Sequence, residues 1–239
     1  MSGPLDVNQR IAESWASHDG PCRECPAWHS ESRPRYNRTD AKVPKVLVVG
    51  SDPNEERCNE PSADRGEAEA VLADQGKLPW MGQRGLQALT SLVGETRLSL
   101  RDLYVTNALR CAKPEGDLAN AFKACNSYLR WELEAIQPRL VVCFGAPAYD
   151  QTMRAHNNRL PEMWRICKHH GEADPVSARR PSDGRPNPGR PRRLALVLIH
   201  WSRGEACMRF TKERTNGLPS PYLPSIKDHF SRAYTRAFE

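Results

Sequence analysis

Three polar side chains in this sequence stand just beyond short apolar runs, and their types complement one another. Asp52 follows Lys45–Val49 through Gly50-Ser51, Asn107 follows Leu103–Thr106, and His200 follows Leu194–Ile199. A carboxylate can orient or deprotonate a water. A carboxamide carries a donor and an acceptor side by side, which suits the Watson–Crick edge of a base drawn out of its stack. An imidazole beside a departing base can stabilise the negative charge that develops there. Trp80, within Pro79-Trp80-Met81-Gly82, supplies a ring on which such a base would stack. Together these groups suit hydrolysis of the bond between a sugar and its base. Each alone has a plain structural explanation: a turn residue before Pro53, a loop cap, a satisfied strand-end histidine, a core or rim aromatic. Their joint appearance at the ends of separate runs marks a site.

Sulfur forms a second set. The chain has eight cysteines, among them Cys22-x2-Cys25, then Cys111, then Cys125 after thirteen intervening residues. In a reducing cytoplasm, metal ligation is the default for a well-spaced subset. A CxxC pair alone is compatible with redox, zinc or incidental roles. All-thiolate ligation suits a [4Fe–4S] cluster and equally suits structural zinc. Cys111 lies four residues beyond Asn107. A centre bound there and at Cys125 would tie the Asn107 strand to the next helix and anchor the N-terminal segment. Cys143, inside an apolar run, reads as a small hydrophobe. Cys58, Cys167 and Cys207 receive no role.

The elements that must position these residues follow from periodicity. Lys45–Val49, Leu103–Thr106, Leu140–Phe144 and Leu194–Ile199 are near-continuous apolar stretches, as expected of strands buried on both faces of a parallel sheet. Between them lie helical patterns. Leu86, Leu89 and Val93 share one face. Leu118, Phe122, Cys125, Leu129, Leu133 and Ile136 recur at three- and four-residue spacing, after Asp117 as N-cap and before Pro138. Leu223, Ile226, Phe230 and Tyr234 mark a last helix. Alternating strands and helices predict an α/β fold, and ligands of such sheets bind beyond the carboxyl ends of the strands. The length suits one domain over residues 1–239, with irregular stretches at 18–44 and 171–193.

Charge points to a polyanion. The net charge is +6, and the 171–193 segment contributes +3 of it. There Arg179, Arg180, Arg185, Arg190, Arg192 and Arg193 stand against Glu172, Asp174 and Asp183. This Pro-, Gly- and Arg-rich insertion is expected to be a loop, with Arg190, Arg192 and Arg193 as candidate phosphate contacts and a solvated linker as the alternative. No apolar run is long enough to span a bilayer, and no apolar signal core opens the chain. The expectation is a cytoplasmic, monomeric protein with DNA as partner and no membrane association.

The order of these segments resembles the uracil-DNA glycosylase superfamily, most closely its iron–sulfur branch. The resemblance runs through Cys22-x2-Cys25, Val46–Gly50 with Ser51-Asp52-Pro53, and Pro79-Trp80-Met81-Gly82-x2-Gly85. It continues through Leu103–Asn107, Arg110-Cys111, Cys125, Leu140–Gly145 and the strand ending at His200. It implies a three-layer α/β/α sandwich around a four-stranded parallel sheet, a [4Fe–4S] cluster on Cys22, Cys25, Cys111 and Cys125, and base flipping without lyase chemistry. It places water activation after Gly50, stacking at Trp80, base recognition at Asn107 and leaving-base stabilisation at His200. Trp201, Ser202 and Arg203 fall where a segment would wedge into the DNA stack.

Three positions depart from the branch. Ser51 stands where Glu is usual, and the carboxylate arrives one residue later as Asp52, as in the family 1 enzymes. Trp80 replaces Phe, and His200-Trp201 replaces His-Pro. Ser51 therefore joins the base-binding set. These changes keep two rivals to uracil excision open: a glycosylase for bulky hypermodified phage bases in antiviral defence, and a non-catalytic DNA-binding cluster protein. An ordinary nucleotide-binding α/β enzyme is disfavoured, since the chain has neither GxGxxG nor a P-loop.

Overall fold

The computed structural model of the chain describes residues 9–11, 13–14, 16–26, 28, 45–52, 88–90, 92–94, 96–99, 102–111, 116–156, 173–176, 193–198 and 222–238. Strands β1 (Val46–Gly50), β2 (Leu103–Asn107), β3 (Leu140–Phe144), β4 (Ala173–Val176) and β5 (Arg193–Leu198) form one sheet in the order β2-β1-β3-β5-β4. The first four positions in that order are mutually parallel, as the apolar runs predict. β4 pairs antiparallel with β5, adding a fifth edge strand. It arises inside the 171–193 segment, expected to be a loop throughout. Its sequence, Ala-Asp-Pro-Val, carries no apolar alternation, and an edge position tolerates its proline.

Every residue of β1 and β3 is buried, because alternate side chains enter two cores on opposite faces of the sheet. Leu47, Val49, Tyr104, Val141, Cys143 and Ala195 point into one core. Helices α1 (Leu118–Ile136) and α2 (Ala146–Ala155) cover that face. Val46, Val48, Val105, Val142, Phe144 and Leu196 point into the other. Helix α3 (Tyr222–Phe238) and the helical residues 88–90 and 92–93 cover it. Helical elements thus lie on both faces.

The bounds of α1 follow its chemistry. The Asp117 carboxylate accepts the Asn120 backbone N–H at 3.1 Å, capping the start. At the other end Gln137 turns left-handed at φ 48° and its N–H closes on Leu133 O, just ahead of Pro138. Helix α2 was not legible in the sequence. Its buried face includes Gln151 and Thr152, whose polarity hides the stripe. Both are satisfied: the Thr152 hydroxyl donates to Ala148 O at 2.8 Å, and Gln151 Oε1 accepts the Asn126 amide of α1 at 3.1 Å. Among the described residues no helix is long and apolar enough to cross a membrane.

Candidate functional site

The chain passes from β1 outward to β2, then back across to β3 and on towards β5. The carboxyl ends of β1 and β3 therefore lie side by side while their connections leave in opposite directions. That is the crevice in which open α/β sheets bind ligands. Ser51 and Asp52 follow β1 into it. From β3 it receives Gly145, whose φ of 92° suits a residue without a Cβ. Gly145 N–H donates to Leu198 O at 2.8 Å, joining the ends of β3 and β5 two residues before His200.

Asn107 reaches this rim from β2. Gly50 and Asn107 are register partners, and the pairing continues past both strands. Ala108 N–H donates to Gly50 O, and Leu109 N–H to Ser51 O, each at 2.9 Å. The Asn107 amide lies over Gly50 so closely that a Cβ built there would overlap its Oδ1. Glycine at position 50 thus leaves the Asn107 amide its place; any side chain there would displace it. Ser51 and Asn107 are half-buried and Asp52 is exposed, so the described part of the site opens to solvent.

Of the other expected site residues, Trp80, His200, Trp201, Ser202, Arg203, Arg190 and Arg192 lie outside the described residues. Arg193 begins β5, at the strand end opposite the one that leads to His200. At the usual rise per residue, that separates it from the rim by about 17 Å.

Behind Asn107 lies a buried charge cluster that sequence reasoning missed. Arg110 and Glu132 form an ion pair and neither is exposed. The Tyr104 hydroxyl donates to Glu132 Oε1 at 2.9 Å, and the Thr106 hydroxyl contacts both carboxylate oxygens at 3.1–3.2 Å. Burial pushes the Glu132 carboxyl up, against the pull of the Arg110 guanidinium and the two hydroxyls. Burial, the largest influence, would lower Arg110, but the charge and hydrogen bond of Glu132 together with Tyr104 and Cys125 outweigh it, so the guanidinium is held above its usual range and stays charged. Burial, then the Glu132 charge, holds Tyr104 well above the usual phenol range, so it remains a donor. The signal available in the sequence was an acid at position 132, adjoining Leu133 on the apolar stripe of α1.

The four cysteines of the expected ligand set gather on the α1 side of the sheet. Cys22, Cys111 and Cys125 are core residues there, and Cys25 packs against them. None of the described cysteines forms a disulfide. Asp19 caps the 3-10 turn Gly20–Cys22, and Cys25 N–H closes on Cys22 O, which presents both sulfurs of the CxxC pair. The Cys125 thiol is held well above its usual range, first by a hydrogen bond with Cys25, then by burial and by Cys111; the Arg110 backbone N–H pulls the other way. Cys22 is raised by burial and by Cys25, with Tyr128 opposing. Among the described residues, no three ligating side chains stand ready for a metal ion; the thiols instead interact in pairs. The donor set is nevertheless all sulfur, and Cys25 hinders ionisation of both Cys22 and Cys125, as Cys111 does of Cys125. A cationic centre is what would let all four ionise together. Cys143 stands apart: burial pushes it up to about 12, and its thiol contacts Thr152.

Residues 37–206 match the family model of the Uracil DNA glycosylase superfamily. Among curated proteins the chain is 34% identical to a Type-4 uracil-DNA glycosylase of Archaeoglobus fulgidus over 82 residues, covering 34% of this chain and 41% of that protein. It is 23% identical to the Type-4 uracil-DNA glycosylase of Saccharolobus solfataricus over 148 residues, covering 61% of this chain and 60% of the relative. It is 26% identical to the Type-4 enzyme of Thermotoga maritima over 135 residues, 53% of this chain and 58% of the relative. The matches thus span between 41% and 60% of these relatives' lengths. None of the three is named for a bulky phage base or for binding without cleavage.

Proposed function

The chain belongs to the uracil DNA glycosylase superfamily, and from that premise we propose that it is a monofunctional DNA glycosylase that hydrolyses the N-glycosidic bond of a flipped-out uracil. The observation that carries this reading is the seating of the Asn107 amide over Gly50 at the sheet's switch point, with Asp52 two residues beyond that glycine.

The reaction starts with a nucleotide extruded from the DNA, with Trp201, Ser202 and Arg203 filling the gap. Trp80 stacks on the base. Asn107, with Ser51 beside it, reads the pyrimidine edge. As the sugar–base bond breaks, the sugar gains cationic character and the base gains negative charge. Asp52 offsets the first and positions the attacking water; His200 stabilises the second. Arg190, Arg192 and Arg193 supply positive charge that attracts DNA phosphate. Cys22, Cys25, Cys111 and Cys125 hold a [4Fe–4S] cluster whose role is structural: it ties the N-terminal segment and α1 to the residues that follow Asn107. Zinc is the alternative occupant of the same ligands.

The test is incubation of the purified protein with oligonucleotides carrying uracil, hypoxanthine, xanthine or hypermodified cytosine, followed by detection of abasic sites. Abasic sites at uracil are expected; none at any base would overturn the reading. A sharper result is expected of Gly50→Ala. The new methyl meets only the mobile end of Asn107, so the thermal midpoint should stay within a few degrees of the wild type. Excision should fall about tenfold or more, because a displaced recognition group loses alignment. Unchanged excision would separate Asn107 from base reading.

A further inference from the structure

The Tyr128 hydroxyl lies 2.7 Å from Cys22 Sγ, and both residues are buried. Tyr128 sits on α1 one turn beyond Cys125. Its ring is held edge-on by Trp131 at 5.2 Å, and Arg10 lies over the other ring of that pair at 3.6 Å. The hydroxyl has a second neighbour, Ser14 Oγ, at 2.9 Å. The Ser14 hydroxyl in turn donates to Asp19 O at 2.8 Å. Asp19 is the residue whose carboxylate caps the turn carrying Cys22.

The directions of these bonds can be assigned by counting hydrogens. Ser14 has one, and it goes to the Asp19 carbonyl. Ser14 Oγ therefore accepts from Tyr128, and Tyr128 in turn accepts from the Cys22 thiol. Each of the three side chains donates once, ending on a backbone carbonyl. This order holds while Cys22 carries its proton. A ligating cysteine has none: the proton leaves to solvent as the metal–sulfur bond forms. In the pair Cys22–Tyr128 the phenol is then the only group with a hydrogen to give. Hydrogen bonds to an ionised acceptor are stronger than neutral ones, so the hydroxyl turns from Ser14 towards the sulfur.

We infer that Tyr128 is a positioning residue of the four-cysteine site, donating its hydroxyl hydrogen to the Cys22 thiolate once the centre is bound. The inference rests on the cluster reading given above. Tyr128 then plays for Cys22 the part that partners outside the ligand shell play for metal-binding histidines, fixing the ligand and tuning the centre. It also clamps the N-terminal segment, which supplies Ser14, Asp19 and Cys22, onto α1.

The test uses the loaded protein, purified without oxygen, and follows release of iron to a chelator through loss of the visible sulfur-to-iron band. Tyr128→Phe should lose its cluster about tenfold faster than the wild type, the scale of one hydrogen bond to a charged group. The band itself should shift. Ser14→Ala supplies the opposite sign: it removes the competing acceptor, so release should be no faster than in the wild type. A purely structural role predicts that both variants accelerate release through a loosened N-terminal segment. Equal rates for Tyr128→Phe and wild type, or acceleration by Ser14→Ala, would overturn the inference. Wild-type protein that binds zinc and no iron would contradict the cluster reading instead, and zinc release from the same two variants would then judge Tyr128.

Discussion

Asp52→Asn should slow single-turnover excision of uracil about a hundredfold or more, the scale of a positioned general base, while leaving DNA affinity close to the wild type. The substitution keeps the size of the side chain and its capacity for hydrogen bonds. It removes the negative charge that faces the developing sugar cation and the acceptor that orients water. Asp52 is exposed, on the segment after β1 and beside the β1/β3 crevice. Its loss should therefore cost chemistry and little stability. Quenched single-turnover cleavage, paired with binding to an uncleavable analogue, separates the two effects. Near-normal cleavage would move the role to Glu55 or Glu56, or to the substrate itself.

The second large effect is on stability. Glu132→Ala leaves the Arg110 guanidinium buried with no counter-charge and takes from Tyr104 and Thr106 the acceptor they share. Breaking a buried pair from one side costs about 3–5 kcal/mol. Against a typical total of about 5–15 kcal/mol, that is about a fifth or more of the stability of an ordinary domain. The denaturation midpoint should fall accordingly. Replacing both partners, Arg110→Leu with Glu132→Leu, should destabilise less than Glu132→Ala alone, because no isolated charge remains. A loss under about 1 kcal/mol for Glu132→Ala would mean that the pair is not closed off from water.

The contrast between these two residues shows what the sequence carried and what it did not. The strand-end positions of Asp52 and Asn107 were legible because strands buried on both faces read as unbroken apolar runs, which these polar residues follow. The four cysteines were legible from spacing and resemblance, and the structure gathers them on the face of the sheet that α1 covers. Glu132 was hidden by its own helix. Beside the apolar stripe of α1 it reads as a surface acid, and only the approach of Tyr104 and Thr106 from β2, and of Arg110 just beyond it, gives it a role. Helix α2 was missed for a related reason: Gln151 and Thr152 are buried but satisfied by near neighbours, so burial left no apolar period. The segment around Ile11, Ser14 and Tyr128 depends on contacts more than a hundred residues apart, which no local pattern encodes.

The central claim is that Asn107 selects uracil, and one comparison tests it most directly: release of uracil and of cytosine by the wild-type protein and by Asn107→Asp, from otherwise identical single- and double-stranded oligonucleotides. An aspartate cannot donate to the carbonyl of uracil but can accept from the amino group of cytosine. The account predicts abasic sites at uracil with the wild type, their loss with Asn107→Asp, and weak release of cytosine by that variant. A wild-type protein that leaves uracil untouched in both strand forms yet releases a modified cytosine would contradict it.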